Sequence, residues 1–348
     1  MNLAMFLPNW IGDVVMATPA IRALRNHFAP TRCIAVCRPY VLGVLGGSPW
    51  FDDHVFLDTK GPLTHRWASA AWQLRKQHID VAVLFPNSFR SALVAWLGGC
   101  KRRIGFDRDG RGGFLTDRLT SVIDASGKFV PAPVIDDYNR LAEAAGCARP
   151  GHRMELFTTA ADESAADAVY DKFRISPRDE VICLNPGAAF GAAKFWPAEH
   201  FARLAQDLVA TRCARILVLC GPDEREQARR IVKLADRTDV HSLAEETLSL
   251  GLTKALVKRC SLLVTTDSGP RHFAAAFDRP VVSLYGPTHI DWTRTFFDKE
   301  INVQKKVPCG PCQLRVCPTD HVCMTTLAPA EVFAAAQRLL APLHRKAS

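Results

Sequence analysis

Short apolar runs alternate with longer amphipathic stretches along most of the chain, a pattern typical of parallel sheets covered by helices. In the first half it predicts strands at 2–7, 33–38, 54–58 and 81–87, and helices at 14–27, 64–77, 88–98 and 136–146. In the second half it predicts strands at 181–187, 215–221, 261–267 and 281–286, with helices beginning near 197, 223 and 270. We therefore expect an α/β fold with two doubly wound, Rossmann-like domains that face a central cleft.

The strand–helix pattern is interrupted around 147–178, where Pro150, Gly151 and Pro177 surround a single helical stretch. This interruption predicts one domain over 1–165 and a second over 175–330. A C-terminal helix is expected over 331–348, and it could pack back on the first domain. Ligands of open α/β sheets bind beyond the carboxyl ends of the strands, so the loops at these ends are the candidate functional regions.

The composition is that of an ordinary globular protein, with 48% hydrophobic and 23% charged residues in a chain of 348. A length of this size suits two domains. No apolar run reaches the roughly 18–20 residues that a membrane-spanning helix needs. The apolar N-terminus is interrupted early by Pro8 and Asn9, which predicts a first core strand rather than a signal peptide and hence a cytoplasmic protein.

A formal net charge of +9 favours anionic partners such as a phosphorylated substrate or an acidic membrane surface. The chain has no dense basic run and no recognisable nucleic-acid module, so nucleic acid is not an expected partner. Six basic residues, Arg102 and Arg103 among them, lie in the stretch 101–118, close in sequence to Arg90. This stretch is either a solvated loop or part of a surface for an anionic acceptor.

The first predicted strand leads into a turn at Gly12 and a helix that begins near Asp13. Asp13 could serve as the N-cap of that helix, since aspartate is a preferred capping residue. It could equally serve as a general base at the carboxyl end of the strand. The segment lacks the glycine fingerprint G-x-G-x-x-G, which argues against a dinucleotide-binding dehydrogenase.

Two loops of the second half have the composition of an anion site. The loop at 186–197 is long, rich in small residues and uncharged except for Lys194, which suits a diphosphate but could also be solvated. In the other loop, Asp267, Ser268 and Gly269 end a strand and begin a helix. They could act as helix caps or offer free amides to an anion. His272, one turn further, could be structural or belong to this site.

The chain contains twelve cysteines, of which most are expected to be small buried side chains. Four of them lie close together near the C-terminus, at Cys309, Cys312, Cys317 and Cys323. Four thiolates suit a tetrahedral structural zinc site, but the later spacings do not repeat the C-x-x-C pair. The cluster therefore predicts either a structural zinc or free thiols.

Taken together and in this order, the motifs resemble those of the bacterial ADP-heptose:lipopolysaccharide heptosyltransferases of glycosyltransferase family 9. The resemblance runs from about residue 3 to residue 290. It rests on Gly12, Asp13 and Pro19 and on four segments, at 84–93, 186–197, 267–272 and 279–288. The segment at 84–93 resembles the heptosyltransferase II pattern within the family.

The resemblance implies a GT-B fold and a metal-independent, inverting transfer. The donor would be ADP-L-glycero-D-manno-heptose. The acceptor would be the lipopolysaccharide inner core, of the heptosyl-Kdo2-lipid A type, at the cytoplasmic face of the inner membrane, where the enzyme could be peripheral. The first domain would then bind the acceptor and the second the nucleotide sugar. A family member with another donor or acceptor is the alternative.

The resemblance also implies roles for particular residues. Asp13 would be the general base and Lys194 would neutralise the leaving diphosphate. Donor binding would fall to Asp267 at the sugar, to Ser268, Gly269 and His272 around the phosphates, to Glu224 at the ribose and to Gly187. Acceptor binding would fall to Asn87, Ser88, Arg90, Arg102 and Arg103. Pro270 and Arg271 replace an apolar pair that is usual before the histidine.

Two other classes of protein are compatible with parts of the pattern. A nucleotide-sugar epimerase or dehydrogenase would need a bound dinucleotide, and the missing glycine fingerprint counts against it. An inactive carbohydrate-binding protein on a GT-B scaffold would have no need for Asp13, Lys194 and Asp267 together.

Overall fold

The computed structural model describes the chain except for Pro30, Thr59, Asp124, 126–128 and 342–348. Two compact units are present: unit 1 is Met1–Phe157 with Asp291–Phe296, and unit 2 is Thr158–Ile290 together with the residues from Phe297 onward. The predicted boundary at 165–175 therefore falls too late. The helix Ala160–Lys172 belongs to unit 2 because it packs against the helix Leu250–Arg259 there.

Unit 1 contains a six-stranded parallel sheet in the order β3-β2-β1-β4-β5-β6. Its strands are β1 Asn2–Phe6, β2 Arg32–Cys37, β3 Asp53–Phe56, β4 Val81–Leu84, β5 Arg102–Phe106 and β6 Asp117–Leu119. Its helices are α1 Ile11–Met16, α2 Thr18–His27, α3 Pro39–Leu45, α4 Trp67–Lys76, α5 Phe89–Leu97 and α6 Val134–Ala144.

Unit 2 repeats this topology, with a six-stranded parallel sheet in the order β12-β11-β10-β7-β8-β9. Its strands are β7 Val181–Asn185, β8 Arg215–Val218, β9 Val240–Ser242, β10 Leu262–Thr266, β11 Val281–Tyr285 and β12 Glu300–Gln304. Its helices are α7 Ala160–Lys172, α8 Ala198–Arg212, α9 Arg225–Ala235, α10 Leu250–Arg259, α11 Gly269–Ala276, α12 Val322–Thr325 and α13 Pro329–Leu340.

The central strands of both sheets are buried along their whole length, as expected where helices cover both faces of a parallel sheet. Every residue of β4, β7, β10 and β11 is buried. In each unit the order of the strands reverses between two central neighbours, β1 and β4 in unit 1 and β7 and β10 in unit 2. The carboxyl ends of these strands are the places where such folds bind ligands.

The structure differs from the sequence-based elements in several places. The helix expected at 14–27 is two helices that join at Ala17, because Pro19 fits only the first turn of a new helix. Strands β5 and β6 were not predicted, and β5 begins with two arginines that obscure its apolar period. The short β9 and the half-exposed edge strand β12 were missed for similar reasons.

The C-terminal helix begins and ends earlier than the predicted 331–348. Helix α13 packs against α8 and against β10, β11 and β12, all within unit 2. The last residues of the predicted helix, 342–348, lie outside the described residues. Within the described part of the chain, no helix combines the length and the apolar character that crossing a bilayer requires.

Candidate functional site

Three loops meet at the carboxyl edge of the unit 2 sheet because their strands β7, β10 and β11 are adjacent. The loop after β7 carries Lys194 at the end of a single 3₁₀ turn, Ala192–Lys194. Asp267 follows β10 directly, and Thr288 lies three residues after β11. The strand order thus brings together side chains that are 73 residues apart in the case of Lys194 and Asp267.

Lys194 and Asp267 form a buried ion pair. The ammonium donates to Oδ2 of Asp267 at 2.5 Å and to its main-chain oxygen at 2.9 Å, and the Thr288 hydroxyl donates to the same Oδ2 at 2.7 Å. Burial alone raises the pKa of Asp267, but the positive charges of Lys194 and Arg271 outweigh burial and lower it. The carboxylate is therefore ionised, and it ties the loop after β7 to its own loop.

Arg271 and Glu300 form a second buried ion pair beside the first. The Arg271 guanidinium binds Glu300 through Nε and through a second nitrogen at 3.0 Å, and it lies 3.9 Å from Oδ1 of Asp267. Ser283 donates to Glu300 at 2.7 Å. Burial raises the pKa of Glu300, but Arg271 outweighs it and the pKa is lowered. Arg271, which replaces a usually apolar residue, is therefore paired with Glu300 of β12.

His272 is buried, and its Nδ1 has no hydrogen-bond partner among the residues that the structure describes. Burial, followed by the positive charge of Arg271, lowers its pKa to about 3. The imidazole is therefore neutral at physiological pH. Toward a ligand it can offer a neutral nitrogen but no positive charge.

The helix α11 begins at this site without a side-chain cap. Ser268 occupies the N-cap position, but its side chain makes no capping bond. Its hydroxyl instead accepts from Asn185 at 2.9 Å and is 3.0 Å from the Thr265 hydroxyl. The capping alternative is therefore not supported for Ser268, and the first amides of α11, beginning at Gly269, keep the orientation that suits an anion.

Gly187 and Glu224 lie against each other at the ends of the neighbouring strands β7 and β8. A Cβ on Gly187 would stand 1.9 Å from the Glu224 carboxyl carbon, so no larger residue fits without moving that carboxylate. Glu224 is held in place by the amide of Gly221, which donates to it at 2.7 Å. The close approach explains why a glycine stands at this position.

In unit 1, Asp13 lies inside the first turn of α1 and does not cap it. The N-cap is Trp10, which makes no side-chain cap bond. Asp13 is half-buried and is hydrogen-bonded to the hydroxyl of Tyr138 on α6. Burial, together with the charge of Asp13 and this bond, raises the pKa of Tyr138 well above its usual value, so the phenol stays protonated. No pattern in the sequence pointed to Tyr138.

A cavity of about 580 Å³ opens at the carboxyl edge of the unit 1 sheet. Ser88 and Arg90 line it, as does Arg38, which the sequence reasoning missed although it is the last residue of the strand predicted at 33–38. The apolar part of the wall includes Trp67 and Phe89, which are 47% and 45% exposed. The cavity therefore combines two arginines with exposed aromatic rings.

The loop that carries Ser88 is organised by a buried arginine. Arg111 donates to the main-chain oxygens of Phe106 and Pro86, to the Ser91 hydroxyl at 3.2 Å and to Oδ1 of Asn87 at 3.2 Å. Burial lowers its pKa to about 10. The side-chain oxygen of Asn87 is thus engaged within the protein, and the Ser88 hydroxyl accepts from the amide of Ser91 as the cap of α5.

Arg102 and Arg103, predicted to bind the acceptor together with Arg90, do not line this cavity. Both are at the amino end of β5, the opposite edge of the parallel sheet from the loop of Ser88 and Arg90. Arg102 binds Asp117 at 2.7 Å, and Arg103 binds the main-chain oxygen of Phe114 at 2.6 Å. Closeness in sequence misled the prediction because helix α5 lies between Arg90 and Arg102 and returns the chain from the carboxyl edge of the sheet to its amino edge.

The four C-terminal cysteines are unequally accessible. Cys309 is exposed, Cys312 and Cys317 are partly exposed and Cys323 is buried. Across the described residues, no group of three or more His, Cys, Asp or Glu side chains is arranged to hold a metal ion. The structural zinc therefore stays a prediction.

Comparison with known proteins decides the family. The sequence profile of glycosyltransferase family 9 (heptosyltransferase) matches residues 67–323, most of the chain. The chain belongs to glycosyltransferase family 9. It is 31% identical to lipopolysaccharide heptosyltransferase 2 of Escherichia coli, over 84% of this chain and 85% of the relative. It is 26% identical to lipooligosaccharide heptosyltransferase 2 of Campylobacter jejuni, over 98% of this chain and the whole relative.

Solved structures agree with this membership of family 9. The structure of Escherichia coli ADP-heptose lps heptosyltransferase II superimposes with a TM-score of 0.79, at 26% identity over 98% of both chains. A family 9 structure from Veillonella parvula superimposes with a TM-score of 0.81, at 20% identity over 97% of both chains. The predicted GT-B fold and glycosyltransferase class are confirmed.

Proposed function

We propose that this family 9 enzyme transfers heptose from ADP-L-glycero-D-manno-heptose to the lipopolysaccharide inner core, with an acceptor of the heptosyl-Kdo2-lipid A type. Two similarities support the substrates: a curated relative named lipopolysaccharide heptosyltransferase 2 and a solved ADP-heptose lps heptosyltransferase II. The observation that carries the proposal in this chain is the buried Lys194–Asp267 pair beside the uncapped start of α11.

The donor's diphosphate would bind in unit 2. Its negative charge grows as the bond between the anomeric carbon and the phosphate oxygen breaks, so a fixed ammonium in a water-poor site stabilises the transition state. Lys194 supplies that charge, while the first amides of α11 and the neutral His272 add hydrogen bonds. Asp267 orients Lys194 and would turn its remaining lone pairs to sugar hydroxyls. Glu224 would accept from the ribose.

The base of the transfer would be Asp13 of unit 1. Its carboxylate would take the proton of the acceptor hydroxyl as that oxygen attacks the anomeric carbon and the diphosphate leaves from the other side. This single displacement inverts the configuration at the anomeric carbon. The protonated Tyr138 donates to Asp13 and would hold its carboxylate in a fixed orientation.

We propose that the reaction needs no catalytic metal, because Lys194 and the first amides of α11 would meet the charge of the diphosphate in unit 2. Turnover should survive EDTA, and a strict requirement for Mg²⁺ or Mn²⁺ would contradict this. The predicted structural zinc at Cys309, Cys312, Cys317 and Cys323 is a separate question, which metal analysis of the purified protein answers.

The acceptor would occupy the cavity of unit 1, with Arg38 and Arg90 meeting its carboxylates and phosphates. Trp67 and Phe89 at the same cavity, and Trp10 next to its lining residue Asn9, are all exposed. Aromatic rings beside arginines suit the headgroup region of an anionic membrane. We propose that the enzyme is cytoplasmic and peripheral to the inner membrane, and this surface supports the peripheral location.

Nucleotide release tests the donor and the acceptor together. The purified protein is incubated with ADP-heptose or with UDP-sugars, each with and without heptosyl-Kdo2-lipid A. We expect ADP release that depends on the acceptor and no UDP release. Acceptor-dependent release of UDP, or no ADP release from ADP-heptose, would overturn the proposed substrates.

A further inference from the structure

The four C-terminal cysteines lie in a segment, 307–323, that rests directly on the loop of Lys194. The amide of Ala193 donates to the main-chain oxygen of Arg315 at 3.0 Å. The main-chain oxygen of Ala193 accepts from Nε2 of His321 at 2.6 Å. Both polar main-chain groups of the residue before Lys194 are therefore bound by this segment.

The approach of the two segments is close enough to require a glycine. A Cβ on Gly191 would stand 2.4 Å from the Arg315 main-chain oxygen, and the φ of Gly191, +153°, is rarely adopted by other residues. The ring of Phe190 contacts a cation from each segment, with the Lys194 ammonium 4.8 Å and the Arg315 guanidinium 5.5 Å from its centre. The loop is shaped to fit segment 307–323.

The same segment also supports the second loop of the ion pair. The amide of Gln313 donates to the main-chain oxygen of Pro287 at 2.8 Å. Pro287 precedes Thr288, whose hydroxyl binds Asp267. One stretch of chain thus binds the residue before Lys194 and the residue before Thr288. The side chains of Lys194 and Thr288 both donate to Oδ2 of Asp267.

We propose that segment 307–323 positions the donor site. In this segment His321 is the side chain that holds the Lys194 loop in place, through its hydrogen bond to the main-chain oxygen of Ala193. His321 touches only the main chain of Ala193 in this network, so it acts through Lys194 and is a positioning residue. The reaction that it serves rests on the proposed function. Misplacement of a catalytic group by about 1 Å can cost roughly 100-fold in rate.

The test compares His321→Ala with His321→Gln in the full chain. Glutamine keeps a side-chain N–H of similar reach, whereas alanine has none. His321 has a φ of +56°, and both replacements bear the same backbone strain there, so their difference reports the lost donor. Val316→Ala, in the same segment and 70% exposed, is the matched control.

We expect His321→Ala to lower kcat by about 10- to 100-fold while KM for ADP-heptose and the Tm stay near those of the control. His321→Gln should recover most of kcat. Hydrogen exchange of peptides covering 186–197 should be faster in His321→Ala than in the wild type and in Val316→Ala. This readout needs no substrate, so it separates a failure of the positioning role from a failure of the proposed function.

Either of two results would overturn the positioning role: wild-type kcat and unchanged exchange at 186–197 in His321→Ala, or a kcat of His321→Gln as low as that of His321→Ala. A fall in Tm of His321→Ala that His321→Gln does not share counts as lost folding, and the exchange of 186–197 relative to the rest of unit 2 then decides.

Discussion

The two sheets have the same strand order, but their carboxyl edges differ in how far the charged side chains are buried and paired. In unit 2 the edge is filled by charged side chains that neutralise one another, Lys194 with Asp267 and Arg271 with Glu300, all almost completely buried. In unit 1 the edge opens into a cavity where Arg38 and Arg90 remain accessible beside aromatic rings. One topology therefore supports two kinds of binding surface, and the difference comes from the residues that follow the strands.

The difference has a physical reason. Withdrawing ions from water is costly, and a buried pair recovers that cost only with good geometry and further hydrogen bonds. Asp267 has both, since Thr288 and Arg271 join Lys194 around it. Such an arrangement suits a compact, highly charged group such as a diphosphate. An open cavity with snorkelling cations suits a large amphiphilic acceptor.

The largest effect should come from Asp13, and it tests whether unit 1 supplies chemistry as well as binding. Asp13→Asn keeps the shape of the side chain and its contact with Tyr138 but removes the proton acceptor. Activity should fall by roughly 10²–10⁴-fold with little change in Tm. Tyr138→Phe keeps the carboxylate of Asp13, so its activity should fall less than that of Asp13→Asn. Near-normal turnover of Asp13→Asn would assign the base to another group.

The next effect separates two buried lysines of unit 2. Lys254, on α10, is completely buried and lies 3.7 Å from Asp162 of α7, so its carboxylate partner is not Asp267. Replacing Lys194 by Met leaves the buried Asp267 carboxylate without its lysine and should cost about 3 kcal/mol in the free energy of unfolding, whereas Lys254→Met leaves a partly exposed carboxylate and should cost less. Below the melting transition, Lys194→Met should lose roughly 10²–10³-fold in kcat and Lys254→Met little.

Chemical denaturation and initial rates at a temperature where both variants are folded measure these two quantities. Equal losses of kcat in the two variants would mean that burial of a lysine in unit 2, and not its position beside the diphosphate, is what turnover requires. The Lys194–Asp267 pair would then no longer distinguish the carboxyl edge of unit 2 as the donor site.

A smaller effect is expected at the cavity of unit 1. Arg90→Glu should raise KM for the acceptor by about tenfold at low salt and less at high salt, and leave KM for ADP-heptose unchanged. Arg118→Glu is the matched control, because Arg118 is an exposed arginine on the edge strand β6. If Arg118→Glu has the same effect, net charge attracts the acceptor, and the cavity has no special part in binding it.

The sequence predicted most of the fold because apolar runs mark buried strands, and it predicted the ends of β7 and β10 as donor loops. It could not predict that Lys194 and Asp267 bind each other, since pairing depends on strand order. Arg102 and Arg103 show the same limit, because helix α5 separates them from Arg90 and places them at the opposite edge of the sheet. The contacts of Tyr138 with Asp13 and of His321 with Ala193 are marked by no local sequence pattern.

The smallest effect concerns His272, and it tests how dry the unit 2 site is. The pKa of His272 is lowered from 6.5 to about 3. Between these two pH values the imidazole is protonated in the unfolded chain and neutral in the folded protein. The folded state therefore loses stability as pH falls from about 6.5 toward 3, by up to about 1.4 kcal/mol per pH unit from this group. Above pH 7 the group is neutral in both states and contributes no pH dependence.

His272→Gln removes this titration, so the difference in unfolding free energy between wild type and variant should shift in the variant's favour as pH falls from 7 to 5. Urea denaturation at pH 7, 6 and 5 measures it, and taking the difference cancels titrations that both proteins share. His54→Gln is the control, since His54 is exposed in unit 1. A pH-independent difference for His272→Gln would show that water reaches the imidazole, and the contrast between a closed edge in unit 2 and an open edge in unit 1 would then be one of charge pairing alone.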